Sequence, residues 1–181
     1  MRTYTIAVDH RERKPLDFPR TLRMLSITAD PLKCVPEVVA ITTKSCRLPS
    51  ADYLLAQCED EVGSVYQVQD TALVETKRSV GEIAGNVFTS AHKRANFAKC
   101  LRGLREARVR ALLIEGTLGS YYKPTRYCPE PGLAMDALMR LCWEHEVPLL
   151  VLPGGTSDQR TVAAEHVARL LINGAMSYVH R

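Results

Sequence analysis

The hydrophobic period changes at Ser79, and this change limits what the chain can fold into more than any other feature. Before it, apolar residues fall into short runs rich in β-branched and aromatic side chains: "TYTIAVD" (3–9), "CVPEVVAITTK" (34–44), "ADYLLAQCE" (51–59), "SVYQVQ" (64–69) and "TALVETK" (71–77). Each reads as a strand, the last two as a hairpin or meander. "LDFPRTLRML" (16–25) reads as a short helix with Pro19 in its first turn. After Ser79 the spacing becomes three to four. "SVGEIAGNVF" places Ser79 three residues before Glu82, the capping-box spacing of a helix start. In "SAHKRANFAKCLRGLREARV" the apolar Phe97, Leu101 and Leu104 recur at helical intervals among basic residues, predicting an amphipathic helix. The strand "RALLIEG", the loop "TLGSYYKPTRYCPEPG", the helix "LAMDALMRLCWEHE", the strand "VPLLVLP" and a last helix over "SDQRTVAAEHVARLLING" complete the pattern. Alternating strands and helices call for parallel strands joined by crossovers. The expected architecture is therefore α/β: a mixed central β-sheet flanked by α-helices, antiparallel early and parallel late.

At 181 residues the chain suits a single domain over 1–181. Its 46% hydrophobic and 24% charged residues exclude a disordered or fibrous chain. The longest apolar runs fall far short of the roughly 20 residues of a membrane span. The N-terminus lacks a signal-peptide pattern, so the protein is expected to stay where it is made. The six cysteines, with no C-x-x-C or Cys/His cluster, read as free thiols rather than disulfides or a zinc site. The formal charge of +4 favours no partner, but its distribution does. Lys93, Arg94, Lys99, Arg102, Arg105, Arg108 and Arg110 stand against Glu106 alone, a run able to neutralise phosphates or simply to form a solvated helix face.

Candidate chemistry begins with Glu75 and Lys77. Alternate residues of a strand share a face, so these opposite charges sit side by side, with Val74 and Thr76 on the other face. Burying such a pair rarely adds stability, which points to an exposed face or a chemical use. Asp9 ends the first strand and Asp52 begins the third, positions equally natural for turn and cap aspartates. Carboxylates gathered at strand ends of an α/β sheet suit a magnesium ion, with the lysine orienting or deprotonating an attacking water. The loop over 119–127 interleaves Tyr121, Tyr122 and Tyr127 with Lys123 and Arg126, a mix that suits stacking on unpaired bases or a dimer contact. Gly154 and Gly155 mark a tight turn, and no Walker lysine follows them. The histidines show no ligand spacing.

In order along the chain, "VDHRE" (8–12), "ADYLL" (51–55), "VETKRSVGEI" (74–83) and "LLIEGTLGS" (112–120) resemble the nuclease domain of the XPF family of structure-specific endonucleases, a branch of the PD-(D/E)XK nucleases. The likeness spans roughly residues 5 to 173 and implies a restriction-endonuclease-like fold. It implies that Asp52 and Glu75 bind metal and that Lys77 is the catalytic lysine. Asp9 would complete the acidic cluster, and Arg11 and Glu12 would support it or meet the scissile phosphate. Arg94 matches a basic residue on the DNA side of the helix, with Lys93, Arg102, Tyr121 and Lys123 as further DNA contacts. Glu115 would lie near the site in support. The implied cofactor is Mg²⁺, with Mn²⁺ as a substitute, and the implied activity is hydrolysis of phosphodiesters in branched or flapped DNA. Such an enzyme would be cytoplasmic in a bacterium or phage and nuclear in a eukaryote. Ala51 stands where the family has glycine, Thr76 where it has arginine, and Glu82 one place beyond the trailing aspartate. The segment "CEDEVGSVYQVQDT" lengthens the gap from Asp52 to Glu75 and is expected to form an extra hairpin. No helix-hairpin-helix module is recognisable within these residues. A stand-alone nuclease domain is therefore expected, forming a homodimer or heterodimer through its last two helices. The alternatives are a non-catalytic DNA-binding subunit and a nuclease of ordinary duplex ends.

Overall fold

A computed structural model describes residues 1–26, 35–68 and 71–179. Cys34, the start of one expected strand, and Gln69, the end of another, lie outside the described residues. The strands are β1 (Thr3–Asp9), β2 (Thr21–Leu25), β3 (Pro36–Cys46), β4 (Tyr53–Glu59), β5 (Val65–Gln67), β6 (Ala72–Lys77), β7 (Val109–Glu115) and β8 (Leu149–Leu152). The helices are α1 (Val80–Phe88), α2 (Ala91–Glu106), α3 (Leu118–Tyr121), α4 (Pro131–Glu144) and α5 (Ser157–Val179). One mixed sheet runs in the order β2-β3-β1-β4-β6-β7-β8, with β5 added to β4.

The alternation along each strand sorts side chains into two cores. Tyr4, Ile6, Tyr53, Leu55, Val74 and Leu113 face α5, which buries Ala164, Val167, Ala168 and Leu171 against them. Ala7, Leu54, Leu73, Leu112 and Ile114 face the opposite layer, built from α1, α2 and α4. The result is a sheet between two helical layers. Gly174 lets α5 approach β7, since a Cβ there would stand 2.6 Å from a Val109 methyl. Among the described residues no helix is long and apolar enough to cross a membrane.

Three expectations need correction. "LDFPRTLRML" does not form a helix: its second half is β2, paired with β3 through Leu22↔Val39 and Met24↔Glu37. Leu22 and Met24 are buried while Thr21, Arg23 and Leu25 are exposed, and that period of two outweighs the helix propensity of leucine. The early sheet is also not purely antiparallel, because β3 returns beside β1 in parallel register, Thr3↔Ala40 to Asp9↔Cys46. The inserted hairpin does form between β4 and β5. Its turn is closed by Asp60, whose Oδ1 accepts from the Val62 and Ser64 amides. β5 and β6 do not pair with each other as the expected hairpin or meander would: both lie along the same edge of β4, the register moving from Gln57↔Gln67 to Leu54↔Leu73. Cys46, Cys58, Cys100, Cys128 and Cys142 are free thiols.

Candidate active site

β6 supplies the centre of the site. Leu73 packs against the α1, α2 and α4 layer, and residues two and four further on keep its orientation. Glu75 and Lys77 therefore point toward α1 and α2, where Gly81, Glu82, Phe97 and Cys100 line the same groove. Lys77 is only 5% exposed. Its Nζ donates to Glu75 Oε1 and, at 3.1 Å, to the Thr76 carbonyl. It also lies 3.3 Å from Glu82 Oε1 and 5.7 Å from the centre of the Phe97 ring. Burial favours the neutral amine, but Glu75, Glu82 and Asp52 outweigh it and hold the Lys77 pKa above the ordinary lysine value. The side chain is an ammonium.

Glu82 is tied down by the helix start that the sequence announces. Ser79 caps α1 by accepting from the Glu82 amide at 3.1 Å, and Glu82 Oε2 folds back to accept from the Arg78 amide at 3.0 Å. The other carboxylate oxygen faces Lys77.

Asp52 precedes β4, where the ladder with β6 runs out. Its amide donates to the Val74 carbonyl at 3.0 Å, and its Oδ2 takes the next ladder donor, the Thr76 amide, at 2.8 Å. The Thr76 hydroxyl donates to the same oxygen at 2.7 Å. Burial and the nearby Glu75 charge push the Asp52 carboxyl up to about 7, against the opposing pull of Lys77 and the Thr76 bonds. Gly103 sets this loop against α2, because a Cβ there would stand 2.3 Å from the Ser50 Cβ. The fit brings Asp52 to the same wall as Cys100, in a cleft of ≈ 790 Å³ that also holds Asp9, Arg11, Glu75 and Lys77.

Asp9 reaches the cleft but is already engaged. Arg11 donates from its amide at 2.8 Å and from Nε at 3.0 Å to Oδ1, and again from Nε at 3.0 Å to Oδ2. Burial raises the Asp9 pKa, yet these bonds outweigh it and hold the carboxyl below the usual aspartate range. Arg11 also donates to the Leu48 carbonyl at 2.6 Å, pinning the β1 end to the loop before Asp52. Glu12 also lines the cleft but is engaged: its Oε1 accepts from Arg78 Nη1 at 2.8 Å and from the Lys14 amide at 2.7 Å.

Glu115 belongs to a different cluster. It follows Leu113 in orientation and so faces α5, where Arg78 donates to Oε1 at 3.1 Å and Arg160 to Oε2 at 2.7 Å. It connects to the cleft only through Arg78 and Glu12. The largest correction concerns Tyr121, expected on the surface against DNA. It is 1% exposed, and its hydroxyl lies 2.7 Å from the Lys77 carbonyl and 3.0 Å from the Glu115 carbonyl. The one-turn α3 folds it inward to tie the ends of β6 and β7 together. Lys93, Arg94, Arg102 and Lys123 are exposed; of these Lys93 lines the cleft, beside Asn96 and Lys99 of the same helix.

Several residues at the site were not singled out from sequence. Thr76 orients Asp52, Cys100 lines the cleft wall, and Arg78 and Arg160 neutralise Glu115. A signal existed for two of them: the alternation that places Glu75 and Lys77 together puts Thr76 and Arg78 together on the far side.

Among the described residues no three His, Cys, Asp or Glu side chains stand close enough to hold a metal ion as a group. Asp52 and Glu75 nevertheless face one cleft, and the Glu75 charge is one of the causes that raise the Asp52 pKa. Magnesium keeps several waters and binds through one or two carboxylates, so this pair fits it, and Asp9, sealed by Arg11, is not required. Comparison with protein-family models, curated proteins and solved structures returned no match.

Proposed function

We propose that the chain is a magnesium-dependent endodeoxyribonuclease that hydrolyses phosphodiester bonds in branched or flapped DNA, and that it acts in the manner of the XPF-type nucleases its motifs resemble. One observation carries this reading: Asp52, Glu75 and Lys77, from separate parts of the sequence, line one cleft whose rim bears Lys99 and, alongside, Lys93 of α2. Asp52 and Glu75 would hold the ion. When bound, magnesium or manganese lowers the pKa of a water and offsets charge growing on the phosphoryl oxygens.

The chain's own residues divide the remaining work. Lys77, beside Glu75 in the same groove, would orient or deprotonate the attacking water and offset negative charge on the phosphoryl group. Thr76 fixes the Asp52 carboxylate, and Arg11 ties the end of β1 to the loop beside it. Lys93 and Lys99 meet backbone phosphates, with Arg94 and Arg102 further along the exposed helix. For the expected dimer contact, α5 has committed its apolar face to the core, whereas α4 leaves Met139 and Trp143 exposed.

A second reading, a non-catalytic DNA-binding subunit, draws on the exposed basic residues Lys93, Arg94, Lys99 and Arg102 of α2, which would bind DNA with or without cleavage. Labelled fork, 3′-flap, four-way-junction and plain duplex DNA separate these readings when incubated with magnesium, manganese or chelator. Metal-dependent cutting near the branch is expected, and Asp52→Ala, Glu75→Ala and Lys77→Ala should each lower it by about 10³-fold or more. Binding without cutting would support the subunit reading, and cutting of linear duplex at equal rate would make it a nuclease of ordinary ends. Full activity in all three variants would remove the site altogether.

A further inference from the structure

We infer that the groove beside the cleft is a subsite for an unpaired nucleobase, contributed by the single-stranded arm of the DNA. The inference rests on the nuclease reading and specifies its substrate. A groove of ≈ 780 Å³ runs between α1, the start of α2 and the segment over 127–130. It adjoins the groove that holds Glu75 and Lys77, sharing Gly81, Glu82, Gly85 and Lys93 with it, and that groove opens on the cleft through Glu75, Lys77 and Cys100. Its walls carry Phe88, 50% exposed, Leu133, 53% exposed, and Tyr127, 79% exposed.

Large apolar side chains left in water at such density need an occupant. Tyr127 is also held in place. It lies within a tight turn in which the Thr125 amide donates to the Cys128 carbonyl at 2.9 Å and the Cys128 amide to the Thr125 carbonyl at 3.1 Å. Buried Cys128 anchors that turn. With its backbone fixed, a tyrosine has only two side-chain torsions to order on stacking. The floor is α1 at Gly81 and Gly85, one helical turn apart, which leaves a flat surface where side chains would otherwise stand.

Charge selects which part of a nucleotide enters. Glu82 and Glu130 line the groove against Lys93 alone, so phosphates are disfavoured inside it. Exposed Lys123 and Arg126 lie on the segment that carries Tyr127 and are not part of the groove lining, so the cations of this segment stand outside it. The base enters and the backbone stays outside, the division of labour found where proteins grip single strands.

The test uses the full chain and fork DNA carrying 2-aminopurine in the single-stranded arm, one to three nucleotides from the branch. Binding in chelator should quench the fluorophore, and Tyr127→Ala or Phe88→Ala should abolish the quench while Tyr127→Phe retains it. In magnesium, Tyr127→Ala should slow fork cleavage about fivefold or more, on the scale of one lost base stack. An abasic nucleotide at the same position should slow the wild type equally, with no further loss in Tyr127→Ala. Tyr127 is 79% exposed, so unchanged thermal unfolding of Tyr127→Ala is expected. Wild-type quench and cleavage in both alanine variants would overturn the subsite and leave the nuclease reading standing. If the wild type cuts no substrate, the nuclease reading falls and the quench alone decides: its loss in Tyr127→Ala upholds the subsite, its absence in the wild type removes it.

Discussion

Two charged clusters flank the end of β6, and they differ in how completely their charges are matched. On the α5 side, Glu115 is bracketed by Arg78 and Arg160, Arg78 also holds Glu12, and the remaining guanidinium donors reach the Lys14 and Pro15 carbonyls. On the cleft side, Asp52 and Glu75 share Lys77, and the imbalance pushes Asp52 up to about 7, through burial first and the Glu75 charge second. The first cluster spans the N-terminal loop, β7 and α5 and acts as a clamp. The second keeps carboxylates short of counter-charge, which lowers stability and leaves acceptors for a cation. A satisfied network belongs to the fold, whereas an unsatisfied one facing a cleft is a candidate for function.

Breaking the clamp should have the largest effect on stability. Glu115→Gln keeps the shape but leaves Arg78 and Arg160 without their shared anion. Removing one partner of a buried ion network costs about 3 kcal/mol, which lowers Tm by roughly 6–12 °C in a chain of this size. Thermal unfolding measures it, and cleavage per folded molecule should change only a few-fold. An unchanged Tm would mean that the α5 cluster holds nothing together.

Relieving the cleft should move stability the other way by a smaller amount. Asp52→Asn retains an acceptor for the Thr76 amide and hydroxyl but removes a charge that burial and Glu75 disfavour. The folded pKa of about 7 lies above the ordinary aspartate value of 3.8. Between those values the native state holds a proton that the unfolded state has released, so stability falls as pH rises through that window and levels off above it. In chelator at pH 8, Asp52→Asn should therefore be more stable, by about 1 kcal/mol or roughly 2–4 °C. The difference should fade as pH drops toward 4. Lower stability of the variant at pH 8 would show that Lys77 fully compensates the Asp52 charge.

The contrast between the clusters was only half legible in the sequence. Strands and helices announced themselves through the period change at Ser79, and Phe97, Leu101 and Leu104 are buried on α2 as their spacing requires. β2 was misread because a five-residue strand offers little alternation to set against leucines. The parallel β1–β3 pairing had no local signal, since register between distant strands is decided by the whole sheet. Within the site, strand alternation foretold the Glu75–Lys77 contact, and Asp52 joins them in the cleft. It could have placed Glu115 correctly as well, since Leu113 and Glu115 share an orientation opposite to Leu112 and Ile114. Tyr121 was not recoverable, because a tyrosine in a basic loop looks the same whether a one-turn helix folds it inward or leaves it out.

The smallest expected effect tests the joint between strand pairing and site. Thr76 adds a hydroxyl donor to the amide that already holds Asp52 Oδ2. Thr76→Val keeps the buried shape and removes the hydroxyl alone. A lost hydrogen bond to an ionised acceptor disfavours the charged form, so the Asp52 pKa should rise above about 7, by less than one unit because the amide remains. Carbon-detected NMR titration of the Asp52 carboxyl in chelator reads the midpoint directly. Stability should drop by roughly 1 kcal/mol above that midpoint and by less below it, since a protonated carboxyl is a weaker acceptor. An unmoved midpoint would mean that the ladder amide alone orients the carboxylate, and that the hydroxyl contributes packing and nothing to the charge of the cleft.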